Sequence, residues 1–148
     1  MAKRIISLDG EWILEGVSPD GSERKKLKAV VPGHVHVDLL NEGMIKDPFW
    51  RDQGEECQWV ENWYWTYSKE FDIPNDFSLE WCVIEFMGLD TYASIKLNGK
   101  KLADTDNMFV PHCFDAVGFL IHGKNFIEIT FTPYKKMIEG KRLDYQAA

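Results

Sequence analysis

The residues whose types could do chemistry are concentrated in one segment, residues 47–56. This segment mixes large aromatic side chains with charges between a proline and a glycine, and it has neither a helical nor a strand period. Irregular segments of this length inside compact domains are often functional. Two interpretations stay open: the segment forms a site, or Phe49 and Trp50 close the end of the fold while Asp52 caps neighbouring amides.

Two pairs of carboxylates in this segment are candidates for acid and base catalysis, Asp47 with Asp52 and Glu55 with Glu56. Such a pair works when its surroundings push the two pKa values apart. Neighbours in an exposed loop give no reason for one pKa to rise while the other stays low. The serines and histidines show no Gly-x-Ser-x-Gly pattern of a nucleophile elbow. No catalytic residue is therefore assigned to this chain.

The candidate metal ligands are few and poorly spaced. His34 and His36 are two apart and would face the same way in an extended chain, but no cysteine or carboxylate pair follows at ligand spacing. Cys57, Cys82 and Cys113 are an odd, widely separated set that fits neither a disulfide framework nor a metal site. The sequence predicts reduced thiols, no metal and no cofactor.

Composition limits the class of partner. A net charge of −7 argues against nucleic acid, because binding phosphates needs a concentrated basic surface. The basic cluster at residues 24–28 is typical of the solvated face of a strand. The sequence has neither an apolar run near the roughly 20 residues that span a bilayer nor a signal core after Met1. We expect a cytoplasmic protein without membrane partners, and a single domain over residues 1–148.

The elements that must position the candidate segment are mostly strands. Residues 91–97 alternate apolar and polar side chains, and Asn98 with Gly99 supplies the two positive φ angles of a type I′ hairpin. Residues 6–15 predict two short strand pieces around a bend at Gly10. Further strands are predicted at 27–31, 63–73, 82–86, 108–115 and 126–131, and one short surface helix at 35–42.

The strand at 63–73 carries a stripe of aromatic side chains. Trp63, Trp65, Tyr67 and Phe71 share one face. Such a stripe would suit stacking on sugars, but at strand spacing it more often lines a core, and we interpret it as core. With eight or nine short strands and turn signals every 8–12 residues, the sequence predicts an all-β, antiparallel β-sandwich with one short helix.

An ordered set of short motifs resembles one family. The chain is similar to the amino-terminal domain of the β-mannosidases of glycoside hydrolase family 2 over residues 5 to about 132. The motifs are LDGEW at 8–12, VPGHVHVDLL at 31–40, DPF at 47–49, QWVE at 58–61, GLDTYA at 88–93, LNG at 97–99, DTDNMF at 104–109 and GKN at 123–125. Any one of these motifs is weak, but their order is specific.

The resemblance implies a galactose-binding-like jelly roll that precedes an immunoglobulin-like domain and a (β/α)₈ barrel. Retaining enzymes of this kind use two carboxylates about 5–5.5 Å apart, and the resemblance places both in the barrel. It implies a non-catalytic domain that lends residues 49–59 to the rim of the sugar pocket. On this reading Trp50 or Trp59 stacks on a β-mannoside, while Arg51 or Asp52 hydrogen-bonds its hydroxyls.

The family pattern normally continues beyond residue 148, so the resemblance also implies a fragment of a larger enzyme. Residues 135–148 would then lack their continuation, and two outcomes stay open: they fray, or they add as a strand or helix to a neighbouring molecule, because an uncovered sheet edge invites pairing. The second outcome predicts a homo-oligomer. Two other functions stay open: a stand-alone carbohydrate-binding module, and a structural sandwich that serves only for interaction.

Overall fold

The computed structural model describes residues 4–45, 59–89, 92–106, 110–133 and 136. Within these ranges the chain forms eight strands and two short helices. In chain order these are β1 Gly10–Val17, β2 Arg24–Val31, α1 Val35–Asn41, α2 Trp59–Asn62, β3 Tyr64–Ile73, β4 Val83–Phe86, β5 Ala93–Leu97, β6 Lys100–Thr105, β7 His112–Asp115 and β8 Gly123–Phe131.

Two antiparallel sheets are formed. The large sheet has six strands in the order β2-β1-β3-β8-β5-β6, and the small sheet pairs β4 with β7. Strand β8, the last strand of the described ranges, lies between β3 and β5, so strands far apart in the sequence are neighbours in the sheet. The predicted all-β, antiparallel sandwich is confirmed.

The core lies between the inner faces of the two sheets and under α1. The predicted aromatic stripe of β3 is part of this core, since Trp63, Trp65 and Tyr67 are each less than a tenth exposed. Burial of a large apolar side chain contributes about 1.5–3 kcal/mol, so the stripe is a main source of stability. The other fully buried large side chains come from several elements: Leu14, Leu39, Ile95, Leu97 and Ile127.

The predicted hairpin and helix are both confirmed. Asn98 and Gly99 have φ angles of +50° and +80°, as a type I′ turn between β5 and β6 requires. Helix α1 ends at Asn41, with Glu42 at its C-cap and Gly43 at φ +71°, the left-handed position that commonly ends a helix.

One predicted strand piece is wrong. Residues 6–9 join no ladder, and β1 begins at Gly10, whose φ of +120° turns the chain away from the sheet. The Leu8 carbonyl accepts a hydrogen bond of 2.6 Å from the Trp12 indole instead. Helix α2 was not among the predicted elements, because four residues are too few to show a helical period.

Candidate functional site

Helix α1 is fixed to the large sheet by a buried carboxylate, Asp38. It is 2% exposed, and its two oxygens accept hydrogen bonds from the Val30 amide of β2 at 3.1 Å and the Tyr67 hydroxyl of β3 at 3.2 Å. Burial raises the pKa of Asp38, and the two hydrogen bonds partly oppose that rise. Asp38 therefore holds three elements together at the point where α1 leads into the candidate segment.

Helix α2, which follows the candidate segment in the sequence, is held by a cluster of three tryptophans. Trp59, the first residue of α2, meets Trp63 edge to face with ring centroids 4.9 Å apart, and Trp63 stacks on Trp65 at 5.9 Å. The Trp65 indole donates to the Val60 carbonyl at 2.7 Å. These contacts position α2 against β3.

Trp59 is half-buried, and a cation occupies one face of its ring. The Lys25 ammonium lies 5.5 Å from the ring centroid, which is a cation–π contact. A sugar that stacked on this face would have to displace the ammonium. At an exposed site such a contact contributes about 0.5–1 kcal/mol, which a stacking sugar can offset.

The pKa of His36 is set by its burial and by two ionisable neighbours, His34 and Glu61 of α2. The rings of His34 and His36 are 6.2 Å apart. Burial lowers the pKa of His36, Glu61 of α2 opposes that change, and His34 adds to it. His36 is therefore mostly neutral at neutral pH.

The described ranges contain no pair of buried carboxylates. Asp38 is the one buried carboxylate in the described ranges, and both of its oxygens accept structural hydrogen bonds. A retaining glycosidase needs two carboxylates about 5–5.5 Å apart on either side of the scissile bond. In the same ranges no three histidine, cysteine, aspartate or glutamate side chains converge on a common metal position. Cys82 and Cys113 are free thiols.

Of the predicted sugar-binding residues, only Trp59 can be located. Trp50, Arg51 and Asp52 lie outside the described residues, as do Cys57 and both candidate carboxylate pairs. The structure adds two residues that were not predicted to belong to the site, Asp38 and Tyr67. One signal pointed to Asp38: it lies three residues after Val35 and next to Leu39, on the inward face of a helix where an acid needs a partner.

Comparison with known proteins identifies the family. The model described as "Glycosyl hydrolase 2 galactose-binding domain-like" matches residues 12–146. The chain belongs to this family. This family assignment agrees with the β-sandwich described above and with the resemblance found in the sequence motifs.

Full-length relatives of this galactose-binding-like domain are β-mannosidases. The chain is 38% identical over 128 residues to the β-mannosidase of Capra hircus, covering 85% of this chain and 14% of that protein. It is 38% identical over 133 residues to β-mannosidase B of Thermothelomyces thermophilus, covering 88% of this chain and 15% of that protein. The chain thus spans about one seventh of the length of these relatives and corresponds to their amino-terminal, non-catalytic domain.

A solved structure supports the same assignment. The crystal structure of β-D-mannosidase from Dictyoglomus thermophilum matches with a TM-score of 0.86 and 40% identity, over 94% of this chain and 17% of that one. An exo-chitosanase from Amycolatopsis orientalis matches with a TM-score of 0.67 at 16% identity, which shows a shared fold only.

In the described ranges no helix is long and apolar enough to cross a bilayer.

Proposed function

We propose that this chain is the amino-terminal domain of a β-mannosidase-like retaining glycosidase, and that it supports the catalytic domain without doing chemistry itself. The observation that carries the proposal is the match to a β-mannosidase over 94% of the chain at 40% identity. The substrate of the longer protein would be a terminal β-mannoside. The partners of this domain would be that sugar and the remaining domains of the same polypeptide.

The proposed contribution to the sugar pocket is residues 49–59, which end at the first residue of α2. Trp50 or Trp59 stacks on the apolar face of the sugar, and Arg51 or Asp52 hydrogen-bonds its hydroxyls. The geometry that supports this role is the anchoring of the two helices that flank these residues in the sequence, α1 by Asp38 and α2 by the tryptophan cluster. Firm anchoring matters because a binding loop works when its backbone is positioned by a rigid scaffold.

Kinetics of the longer protein test this role. Trp59→Ala should lower kcat/KM for an aryl β-mannoside about tenfold, the effect of losing about 1.4 kcal/mol of sugar stacking. Lys25→Ala, which uncovers the ring face, should leave kcat/KM unchanged or raise it. Trp63→Phe is the matched control, since it alters the same cluster at a buried position. If Trp63→Phe and Trp59→Ala reduce kcat/KM equally, the effect is structural and Trp59 is not a sugar contact.

A binding measurement separates the domain from a stand-alone carbohydrate-binding module. Titration calorimetry of the 148-residue chain with mannose and manno-oligosaccharides should show negligible heat of binding, because a rim contact alone provides little affinity. Millimolar or tighter binding that disappears in Trp59→Ala would favour the module instead.

A further inference from the structure

The outer face of the small sheet exposes three large apolar side chains. Val83 points outward from β4 and is 61% exposed, and it is flanked by Trp81 at 88% and Met87 at 75%. Across from β4, the outward residues of β7 are Cys113 and Asp115, which pair with Glu85 and Val83. Large apolar side chains exposed together in this way mark interaction sites more often than isolated ones.

The outer face of the large sheet is built differently. It carries ion pairs, Lys26 with Glu15 at 3.7 Å and Lys28 with Glu11 at 3.6 Å. A hydroxyl pair, Thr66 with Thr130 at 2.9 Å, lies across β3 and β8. The outer face of the large sheet thus carries paired charges and hydroxyls together with the exposed Val30, whereas the outer face of the small sheet exposes a tryptophan, a valine and a methionine together.

We propose that the outer face of the small sheet, defined by Trp81, Val83, Glu85 and Met87 with Cys113 and Asp115, is where this domain packs on the remaining polypeptide of the longer glycosidase. The inference rests on the proposed function, because it needs that longer polypeptide. The matched relatives leave about six sevenths of their length outside this domain, which is ample chain to cover the face.

The charges on this face define the chemistry of the surface that covers it. Glu85 and Asp115 are exposed carboxylates, and neither residues 79–88 nor residues 110–118 contain a lysine or arginine. A second copy of this chain would bring carboxylates against carboxylates between molecules of net charge −7. The covering surface is therefore apolar at its centre, opposite Trp81 and Val83, with a lysine or arginine placed to meet the acids.

Hydroxyl-radical footprinting read by mass spectrometry tests the proposal on two samples. One is the 148-residue chain, and the other is the protein encoded by the whole reading frame that contains it. Trp81 and Met87 should react readily in the short chain, and their reactivity should fall on the order of tenfold in the longer protein, as expected for residues moved into an interface core. The reactivity of Val83, which is 61% exposed, should fall likewise. Val30, which is 57% exposed on β2, is the control for Val83 and should react equally in both samples.

Variants add a second measurement. The double variant Trp81→Ser, Val83→Thr should leave the Tm of the short chain unchanged, because both side chains are exposed there, and should lower the Tm of the longer protein. Val30→Thr, the matched control, should lower neither.

Three results would overturn the proposal. One is a longer protein that hydrolyses β-mannosides while Trp81 and Met87 keep their full reactivity. Another is protection of Trp81 in the short chain, with sedimentation showing a dimer that Trp81→Ser abolishes. The third is a reading frame that stops at residue 148. If Trp81 is protected in a longer protein that lacks β-mannosidase activity, the proposed function is contradicted and the proposed interface is supported.

Discussion

The Tyr67 hydroxyl donates a hydrogen bond of 3.2 Å to Oδ2 of Asp38, joining the third strand of the large sheet to the helix that precedes the candidate segment. The other oxygen of Asp38 accepts from the Val30 amide. Burial raises the pKa of the Tyr67 hydroxyl, and the neighbouring Asp38 carboxylate raises it further, so Tyr67 stays a donor at any physiological pH. This contact fixes α1, the helix that precedes the candidate segment in the sequence, to the large sheet.

Removing the Asp38 carboxylate should destabilise the domain. Asp38→Leu leaves the buried Tyr67 hydroxyl without an acceptor, at about 1–3 kcal/mol, and also removes the acceptor of the part-buried Val30 amide, which costs less. Tyr67→Phe removes one donor only and should cost about 0.5–1.5 kcal/mol. Urea denaturation followed by tryptophan fluorescence measures both free energies of unfolding. Equal losses of unfolding free energy in the two variants would contradict the role of Asp38 as the acceptor for two donors.

The same carboxylate should make stability depend on pH. Because the pKa of Asp38 is raised in the folded state, the folded chain binds more protons than the unfolded chain above the ordinary pKa of about 3.9. The free energy of unfolding contributed by this group therefore falls as pH rises through the window between the unfolded and folded pKa values. It is constant above that window.

Asp38→Asn isolates this effect, since the amide keeps an acceptor for Val30 and stays neutral. The stability of Asp38→Asn relative to the parent chain should increase as pH rises through that window and then level off. Urea titrations at a series of pH values measure the difference. Parallel stability curves for the two chains would mean that Asp38 has no raised pKa in the folded state.

Gly16 is required by the close approach of Trp65. The two residues pair across β1 and β3, and a Cβ added to Gly16 would lie less than 3.0 Å from three ring carbons of Trp65. The indole is buried and hydrogen-bonded to Val60, so it has little room to move. Gly16→Ala should cost about 1–3 kcal/mol, as overpacking does.

A double-mutant cycle checks the cause of that loss. The cost of Gly16→Ala should shrink in a Trp65→Leu background, where the ring is absent. An unchanged cost would assign the loss to the backbone of β1 instead of the indole.

A second buried polar group, Asn125, ties the β5–β6 hairpin to the start of β8. Its amide nitrogen donates to the carbonyls of Ile121 and Gly123, and its oxygen accepts from the Asn98 side chain and the Ile121 amide at 2.9 Å. Asn125→Leu should cost about 2–4 kcal/mol, because these partners lose their bonds in a buried place. Asn75→Ala, at an exposed position, is the control and should stay within about 0.5 kcal/mol. Thermal unfolding of the two variants compares them, and an unchanged Tm for Asn125→Leu would contradict this role.

Much of the fold could be predicted because its signals are local. The alternation before Asn98 and Gly99 gave the β5–β6 hairpin, and the helical spacing before Gly43 gave α1. The sequence did not predict that β8 lies between β3 and β5, because that order depends on contacts far apart in the chain. Helix α2 is held by the packing of Trp59 on Trp63, which a four-residue pattern does not reveal.

The candidate site was less predictable than the fold. Trp59 was proposed from a motif, but the Lys25 ammonium over its ring comes from a different strand and has no signature in the sequence. Asp38 lay within a matched motif, yet its two donors are 8 and 29 residues away along the chain. Such partners become visible only in three dimensions.

Hydrolysis of an aryl β-mannoside tests the central claim most directly. The 148-residue chain should release no aryl alcohol above the uncatalysed rate, whereas the longer protein that contains it should hydrolyse the compound with retention of configuration. Hydrolysis by the 148-residue chain alone would contradict the claim that this domain is not catalytic.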